Sequence, residues 1–84
     1  MITVYALYDR ISEQIYVGMT NDLERRISEH KRGQSFYTKR FKDFHLIYSE
    51  EFANYVDGRK KEKSLKNASG KEFLRGLIKQ AGVV

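Results

Sequence analysis

Residues 15–30, IYVGMTNDLERRISEH, constrain the fold of this chain more than any other segment. Three strand-forming residues lead into Gly18, where the bare backbone lets another group approach closely. Polar turn residues follow, and Asn21 with Glu24 three positions later matches a capping box. The segment therefore predicts a buried strand, a short turn and a helix that begins near Asp22.

The predicted helix carries two stripes of different chemistry. Leu23 and Ile27 lie four residues apart and are expected to face the core. Arg26 and His30 have the same spacing and lie on the neighbouring face. A guanidinium and an imidazole at the rim of a core, just after a glycine-ended strand, indicate a site that handles phosphate.

The rest of the chain divides into short strands and helices by its hydrophobic periodicity. A strand that follows a polar turn at 9–14 forms an antiparallel hairpin with the strand before it. A second capping box, Ser69 to Glu72, starts the last helix, with Phe73, Leu74, Leu77 and Ile78 as its apolar face. The predicted elements are strands 3–8 and 15–19, a helix from about 22, a strand 44–52, a helix from about 53 to 67 and a helix from about 69.

Each strand of the hairpin contains one tyrosine of special interest. If Tyr5 pairs with either Tyr16 or Gly18, both tyrosines lie on one face of the sheet, whereas a slip of one residue separates them. One interpretation is that they are ordinary core tyrosines of a half-buried sheet. The other is that both phenols point at one phosphate, and the nearby Arg26 and His30 favour this second interpretation.

Length, charge and composition limit the number of domains and the classes of binding partner. The 84 residues suffice for one domain, 1–84, with a modest core. The net charge of +5 indicates an acidic partner, with nucleic acid first and an anionic membrane second. The lack of cysteine excludes disulfides and thiolate metal sites. Without a membrane-spanning run or a signal peptide, we expect a soluble, cytoplasmic protein that does not bind membranes.

The sequence offers no pattern typical of several common enzyme classes. It contains no Ser-His-Asp set, no second clustered pair of carboxylates and no phosphate-cradling P-loop. Protease, glycosidase and NTPase functions are therefore unsupported.

The segment 31–43, KRGQSFYTKRFKD, interleaves Phe36, Tyr37 and Phe41 with cations. Cations can follow a phosphate backbone while aromatic faces stack on splayed bases. Alternatively, the loop is solvated and its aromatic side chains fold back onto the sheet. The sequence favours neither interpretation, but in both the cations would help to hold a polyanion.

Glu62 lies at the edge of the apolar sector of the second helix, between Tyr55 and Leu65. A surface ion pair with Lys66, four residues on, would contribute only about 0.3–0.5 kcal/mol. That pair accounts for the charge but not for the inward placement. A divalent cation would compensate the burial of a carboxylate, so a metal-binding role is favoured.

Together these residues resemble the motif set of the GIY-YIG nucleases. The matching features are Tyr5 in TVYALY, the Tyr16-Val17-Gly18 triplet, and Arg26 followed by His30. FHLIYSEEF resembles the third strand of that family, and Glu62 in GRKKEKSLK resembles its metal-binding glutamate. The resemblance covers nearly the whole chain and is strongest to the small stand-alone bacterial and phage members.

The resemblance implies both a fold and an activity. The fold is a small α/β domain of the α+β type, a three-stranded antiparallel sheet flanked by three helices in the order β-β-α-β-α-α. The activity is metal-dependent DNA endonuclease cleavage with one Mg²⁺ or Mn²⁺ and no organic cofactor, in repair or recombination. The DNA could be single-stranded, double-stranded or branched, and the oligomeric state stays open.

The resemblance also implies a role for each candidate catalytic residue. Tyr5 would assist deprotonation of the attacking water, and Tyr16 would position water or phosphate. Arg26 would stabilise charge on the phosphate. His30 would relay protons, acting in either form because an ordinary imidazole pKa lies near 6.5. Glu62 would hold the metal ion.

A second set of residues is predicted to contact nucleic acid: Gly18, Lys31, Arg32, Thr38, Lys39, Arg40, Lys42, Lys63 and Lys66. The alternative function is a non-catalytic nucleic-acid-binding module on the same fold. A third interpretation, a basic adaptor for an acidic protein surface, explains the charge but none of the motif positions.

Overall fold

A computed structural model describes residues 1–82 as one three-stranded antiparallel sheet and three helices. The predicted fold and the predicted order β-β-α-β-α-α are both confirmed. No helix within residues 1–82 is long and apolar enough to cross a membrane. The elements are β1 (Ile2–Asp9), β2 (Gln14–Thr20), α1 (Leu23–Lys31), β3 (Phe44–Phe52), α2 (Tyr55–Lys66) and α3 (Ala68–Ala81).

The first strand is the centre of the molecule because β1 lies between β2 and β3 in the sheet. On one face, Val4 and Ala6 of β1 pack with Val17 of β2 against the helical layer. That layer contributes Leu65 from α2 and Leu74 from α3. The opposite face carries the side chains of alternate residues, so the two faces of β1 serve the core and the candidate site separately.

The register of the hairpin places both tyrosines on that second face. Tyr5 of β1 pairs with Gly18 of β2, and Leu7 pairs with Tyr16. This is one of the two pairings that the sequence predicted for two tyrosines on a common face. The whole geometry of the site depends on it, because a shift of one residue would turn one ring into the core.

The first helix begins one residue later than its predicted capping box. The side chain of Asp22, rather than Asn21, accepts a hydrogen bond from the backbone N–H of Arg25 at 3.1 Å. The β2 ladder continues through Thr20, so Asn21 lies in the connection and Asp22 becomes the first residue able to cap the helix. The Asn21–Glu24 capping box is therefore wrong, although the start of the helix is right.

The last helix has a different cap from the predicted one. Asn67 ends α2 and also caps α3, accepting the N–H of Gly70 at 2.9 Å. A Cβ on Gly70, in the first turn of α3, would clash with the carbonyl oxygen of Ser64 in α2, so the two helices pack too closely here for a larger residue. The predicted box starting at Ser69 is wrong because the helix has already begun there.

A buried carboxylate ties the loop between α1 and β3 to the sheet. Asp9, at the end of β1, accepts backbone hydrogen bonds from Lys42 at 3.0 Å and Asp43 at 2.7 Å. It also accepts one from Ser12 at 2.9 Å in the hairpin turn. Burial opposes ionisation of Asp9, but these donors outweigh it and hold its pKa below the ordinary value. The loop is thereby anchored where it enters β3.

Candidate active site

Three aromatic rings from three elements meet on the face of the sheet opposite the helical core. The Tyr5 ring of β1 is fully buried, with its centroid 6.1 Å from that of Tyr16 on β2. His30, in the last turn of α1, lies 5.8 Å from Tyr5 and 5.2 Å from Tyr16, edge-on to both rings. The structure therefore brings together two predicted catalytic tyrosines and the predicted catalytic histidine.

Gly18 makes room for this cluster. A Cβ atom on Gly18 would lie 2.6 Å from the hydroxyl oxygen of Tyr5 and 2.8 Å from Cε2 of Tyr16. The sequence predicted that another group would approach this glycine closely, with nucleic acid as that group. The structure places the phenol of Tyr5 there instead, and Gly18 is buried beneath it.

A chain of hydrogen bonds connects Tyr5 to the loop through the imidazole. The hydroxyl of Tyr5 is 2.8 Å from Nε2 of His30, and Nδ1 of His30 is hydrogen-bonded to Oγ1 of Thr38. Thr38 is only 1% exposed, so it is not available as the surface contact to nucleic acid that the sequence predicted. Its hydroxyl orients the imidazole instead.

His30 is held in its neutral form. Burial, reinforced by the nearby positive charge of Arg26, lowers the pKa of His30 to about 4, although the carboxylate of Glu29 acts in the opposite direction. This pKa lies below the ordinary value near 6.5 on which the sequence-based expectation of both protonation forms depended. A neutral imidazole has one N–H and one acceptor nitrogen, so it can pass a proton between two neighbours.

The Tyr5 hydroxyl is held in its protonated form by the same burial. Burial and the neighbouring Tyr16 phenol raise the pKa of Tyr5 above its ordinary value, and the positive charge of Arg26 only partly offsets them. Tyr5 thus cannot lose its proton to bulk solvent at neutral pH. Its hydroxyl can lose that proton only to a partner in direct contact, which is Nε2 of His30.

Arg26 lies at the rim of the cluster, four residues before His30 as the helical spacing predicted. Its side chain is 27% exposed and is held by Glu29 at 3.0 Å, with Ser35 of the loop at 3.5 Å. Burial disfavours the charge, but the hydrogen bond to Glu29 and the nearby phenol of Tyr16 raise the pKa of Arg26. The site therefore has a permanent cation beside the two tyrosines.

Glu62 lies on α2, in a groove that Tyr16 and Gly18 also line. Its side chain is 17% exposed, and Oε2 is 3.4 Å from Nζ of Lys66. Both features considered from the sequence are thus present, the inward placement and the ion pair with Lys66. Glu62 makes no direct hydrogen bond to any of the other candidate catalytic residues within residues 1–82.

The predicted nucleic-acid contacts lie on several surfaces. Lys66 lines the groove that contains Glu62, and Lys63 lies on α2 outside that groove. In the loop, Nζ of Lys39 is 5.0 Å from the centre of the Phe36 ring. Seven side chains of the predicted set are exposed cations: Lys31, Arg32, Lys39, Arg40, Lys42, Lys63 and Lys66.

Comparison with known proteins agrees with this arrangement. The sequence profile described as the GIY-YIG catalytic domain matches residues 1–75. The chain belongs to the GIY-YIG family. Membership places it in a nuclease superfamily, as the spacing of its tyrosines, arginine and histidine indicated.

Relatives of this GIY-YIG protein include small chains of similar length. UPF0213 proteins of Staphylococcus aureus strains Mu3 and Mu50 are each 34% identical to it over 67 residues, which is 79% of this chain and 80% of theirs. The solution NMR structure of a UPF0213 protein from Bacillus halodurans is similar, with a TM-score of 0.55 and 30% identity. That similarity covers 92% of this chain and 85% of the other.

Sequence patterns did not indicate the roles that two residues of this GIY-YIG site have in the structure, although Thr38 was among the predicted nucleic-acid contacts. The role of Thr38 as the partner of His30 has no local signal, because the two are eight residues apart in a helix and a loop. Asp9 was assigned only to a turn, and its buried carboxylate holds the loop that contains Thr38. By contrast, the i, i+3 spacing of Arg26 and Glu29 could have indicated their ion pair.

Proposed function

We propose that this protein is a metal-dependent endonuclease that hydrolyses phosphodiester bonds in DNA. The observation that supports it best is the hydrogen-bonded chain from Tyr5 through the neutral imidazole of His30 to Thr38. That chain ends at a phenol beside the cationic Arg26. A proton route next to a fixed positive charge is what attack by water on a phosphate requires.

The proton route follows from the tautomer of His30. When Nδ1–H donates to Thr38, Nε2 is free to accept the proton of the Tyr5 hydroxyl. The Tyr5 oxygen can then take a proton from the attacking water while its own proton moves to Nε2. The water oxygen bonds to phosphorus and the bond to the leaving oxygen breaks. Because burial disfavours the imidazolium, Nε2 of His30 returns its proton to the Tyr5 oxygen, and Tyr5 passes the proton that it took from water to the leaving oxygen.

Two further residues of the cluster position the substrate. Arg26 presents its guanidinium to the non-bridging phosphate oxygens, and Glu29 keeps that side chain from rotating away. Tyr16 is less buried than Tyr5, so its hydroxyl can contact the water or the phosphate from solvent. These roles need no change in protonation of either residue.

Glu62 is the residue that would hold a divalent cation. Within residues 1–82, no three His, Cys, Asp or Glu side chains come together in a cluster. A single carboxylate suits Mg²⁺ or Mn²⁺, which keep several waters and share substrate phosphate oxygens. When bound there, the ion would supply positive charge to the scissile phosphate and the leaving oxygen. Without a bound ion, the Glu62 carboxylate pairs with Lys66.

Cleavage of a DNA panel by the wild type and by Glu62→Gln tests the proposal. The panel contains single-stranded, duplex, nicked and branched DNA, each with Mg²⁺ and with Mn²⁺. We expect the wild type to cut and Glu62→Gln to lose cutting, with poor rescue by Mn²⁺. The fold should persist, since the ion pair between Glu62 and Lys66 contributes only about 0.3–0.5 kcal/mol to stability. DNA binding should be retained or tightened, because one repelling charge has gone.

The matched control is Glu72→Gln, which removes an exposed carboxylate from α3 outside the groove. It should leave cleavage and stability unchanged and should affect DNA binding no more than Glu62→Gln does, because it removes the same charge. Retained metal-dependent cutting by Glu62→Gln would refute the role of Glu62. If the wild type binds DNA but cuts none of the panel, the non-catalytic module is the correct function.

A further inference from the structure

The groove that contains Glu62 extends well beyond the catalytic cluster. It has a volume of about 1000 Å³ and lies between β2 and the two helices α2 and α3. Tyr16, Gly18 and Glu62 line one part of it. The remaining walls include side chains of α3 and of the loop before β3, for which the catalytic proposal has no use.

One wall of the groove is a row of cations on α3. Lys71, Arg75 and Lys79 are spaced four residues apart, so they form one stripe with about 6 Å between successive residues. All three are exposed, and within residues 1–82 none has a carboxylate oxygen within 4.0 Å. The buried Leu74 and Ile78 hold this part of α3 against the core.

The charge pattern of this stripe differs from that of an ordinary solvated helix face. Such faces commonly mix acids and bases at i, i+4, which neutralise each other. The one acid of α3, Glu72, does not line the groove. Against two carboxylates that line the groove, Glu13 and Glu62, it has five lining cations: Arg59, Lys66, Lys71, Arg75 and Lys79. The groove therefore presents net positive charge to whatever occupies it, and most of that charge lies on the α3 stripe.

An exposed aromatic surface lies at the same groove. Tyr37 is 73% exposed and lines it, with its ring centroid 6.1 Å from that of Tyr16 and tilted by only 32°. Phe36, 76% exposed, stands edge-on to Tyr37 at 5.5 Å. Both rings are therefore largely open to solvent, although Tyr37 lies against Tyr16 at the edge of the sheet. Exposed rings beside a cationic track are the means by which proteins bind bases that are free of a partner strand.

We infer that this groove binds an unpaired DNA strand, with phosphates along Lys71, Arg75 and Lys79 and a base stacked on Tyr37. The inference rests on the proposed function, because the strand would pass Tyr16 and Glu62 in the same groove. The bases of an intact duplex are already stacked and cannot use Tyr37, and one row of cations contacts one backbone. The preferred substrate is thus DNA with a single-stranded segment, such as an overhang or flap.

Binding measured by fluorescence anisotropy in EDTA tests this without any cleavage. The probes are a labelled oligothymidylate, a blunt duplex of equal length and the same duplex with a single-stranded overhang. We expect the single strand and the overhang to bind at least about tenfold more tightly than the blunt duplex. Equal or tighter binding of the blunt duplex would overturn the inference.

Two charge-matched double variants locate the binding surface. Lys71→Gln with Lys79→Gln removes two groove cations, and Lys60→Gln with Arg25→Gln removes two exposed cations that lie outside the groove. The first pair should weaken single-strand binding about tenfold and reduce the slope of log K against log salt by about 1.4. Equal losses in the two pairs would show general attraction to the basic surface and would refute the groove.

The aromatic contact is tested by Tyr37→Ala, with Tyr37→Phe as its control. Loss of the ring should weaken single-strand binding at least about fivefold and leave duplex binding unchanged, whereas phenylalanine should retain it. Cleavage is scored separately. If the wild type cuts DNA and the groove variants bind normally, this inference fails and the nuclease stands. If the binding pattern holds without cutting, the nuclease proposal fails alone.

Discussion

Replacing Gly18 with alanine tests whether the Tyr5 phenol is held as tightly as the geometry indicates. The new Cβ would lie 2.6 Å from the Tyr5 hydroxyl oxygen, where ordinary contact begins at 3.4 Å, so the two must separate by about 0.8 Å. Tyr5 is fully buried, and its hydroxyl is 2.8 Å from Nε2 of His30. We expect overpacking to destabilise the protein by about 1–3 kcal/mol. Displacement of the phenol by this distance should lower cleavage by about 10²-fold.

Gly76→Ala is the matched control, because a Cβ on Gly76 meets nothing within 4 Å. Gly76 lies inside α3, so alanine there should stabilise the protein by up to about 1 kcal/mol and leave cleavage unchanged. Urea unfolding and a single-turnover cleavage assay on both variants provide the comparison. If Gly18→Ala retains wild-type stability and cleavage, the Tyr5 ring is not confined against Gly18 and the proposed proton route loses its basis.

Other residues of the proton route and of the phosphate site give further expectations. Thr38→Val leaves Nδ1–H of His30 without an acceptor and should destabilise the protein by about 1–3 kcal/mol, with about tenfold or greater loss of cleavage. Thr38→Ser keeps the hydroxyl and should preserve both, so equal damage by the two would contradict the role of the hydroxyl. The pKa of His30 changes from 6.5 when unfolded to about 4 when folded, so folding disfavours its protonation. The free energy of unfolding should therefore be about 3 kcal/mol larger above pH 6.5 than below pH 4, and this difference is lost as the pH falls through that range. Urea unfolding of the wild type and of His30→Gln checks whether this pH dependence comes from His30. Arg26→Ala should lower turnover by roughly 10²–10³ with little change in DNA affinity, while the exposed Arg25→Ala changes neither much. Kinetics showing equal losses at these two positions would mean that the catalytic face of α1 is misassigned.

Local patterns along the chain were enough to predict its strands and helices, and the family resemblance implied the fold into which they assemble. The alternation of apolar residues predicted a third strand at 44–52, which is where β3 lies. The helix caps were less well determined. Asn21 and Asp22 can both cap a helix, and the choice depends on where β2 stops pairing with β1. The order of side chains does not show where this pairing ends, because the end of the strand is set by the backbone hydrogen bonds between β1 and β2.

The candidate site divides in the same way. The sequence alone determined that Arg26 and His30 share a helix face, because a spacing of four residues acts within one helix. It also showed that Tyr5 and Tyr16 share one face of the sheet if Tyr5 pairs with either Tyr16 or Gly18. Only the tertiary structure decided which register forms, and only it placed Thr38 against His30. The neutral state of that imidazole likewise depends on its burial. Desolvation and hydrogen bonding depend on which groups are close in space. Here the loop that contains Thr38 must be anchored to the sheet before it can bury His30 and hydrogen-bond to it.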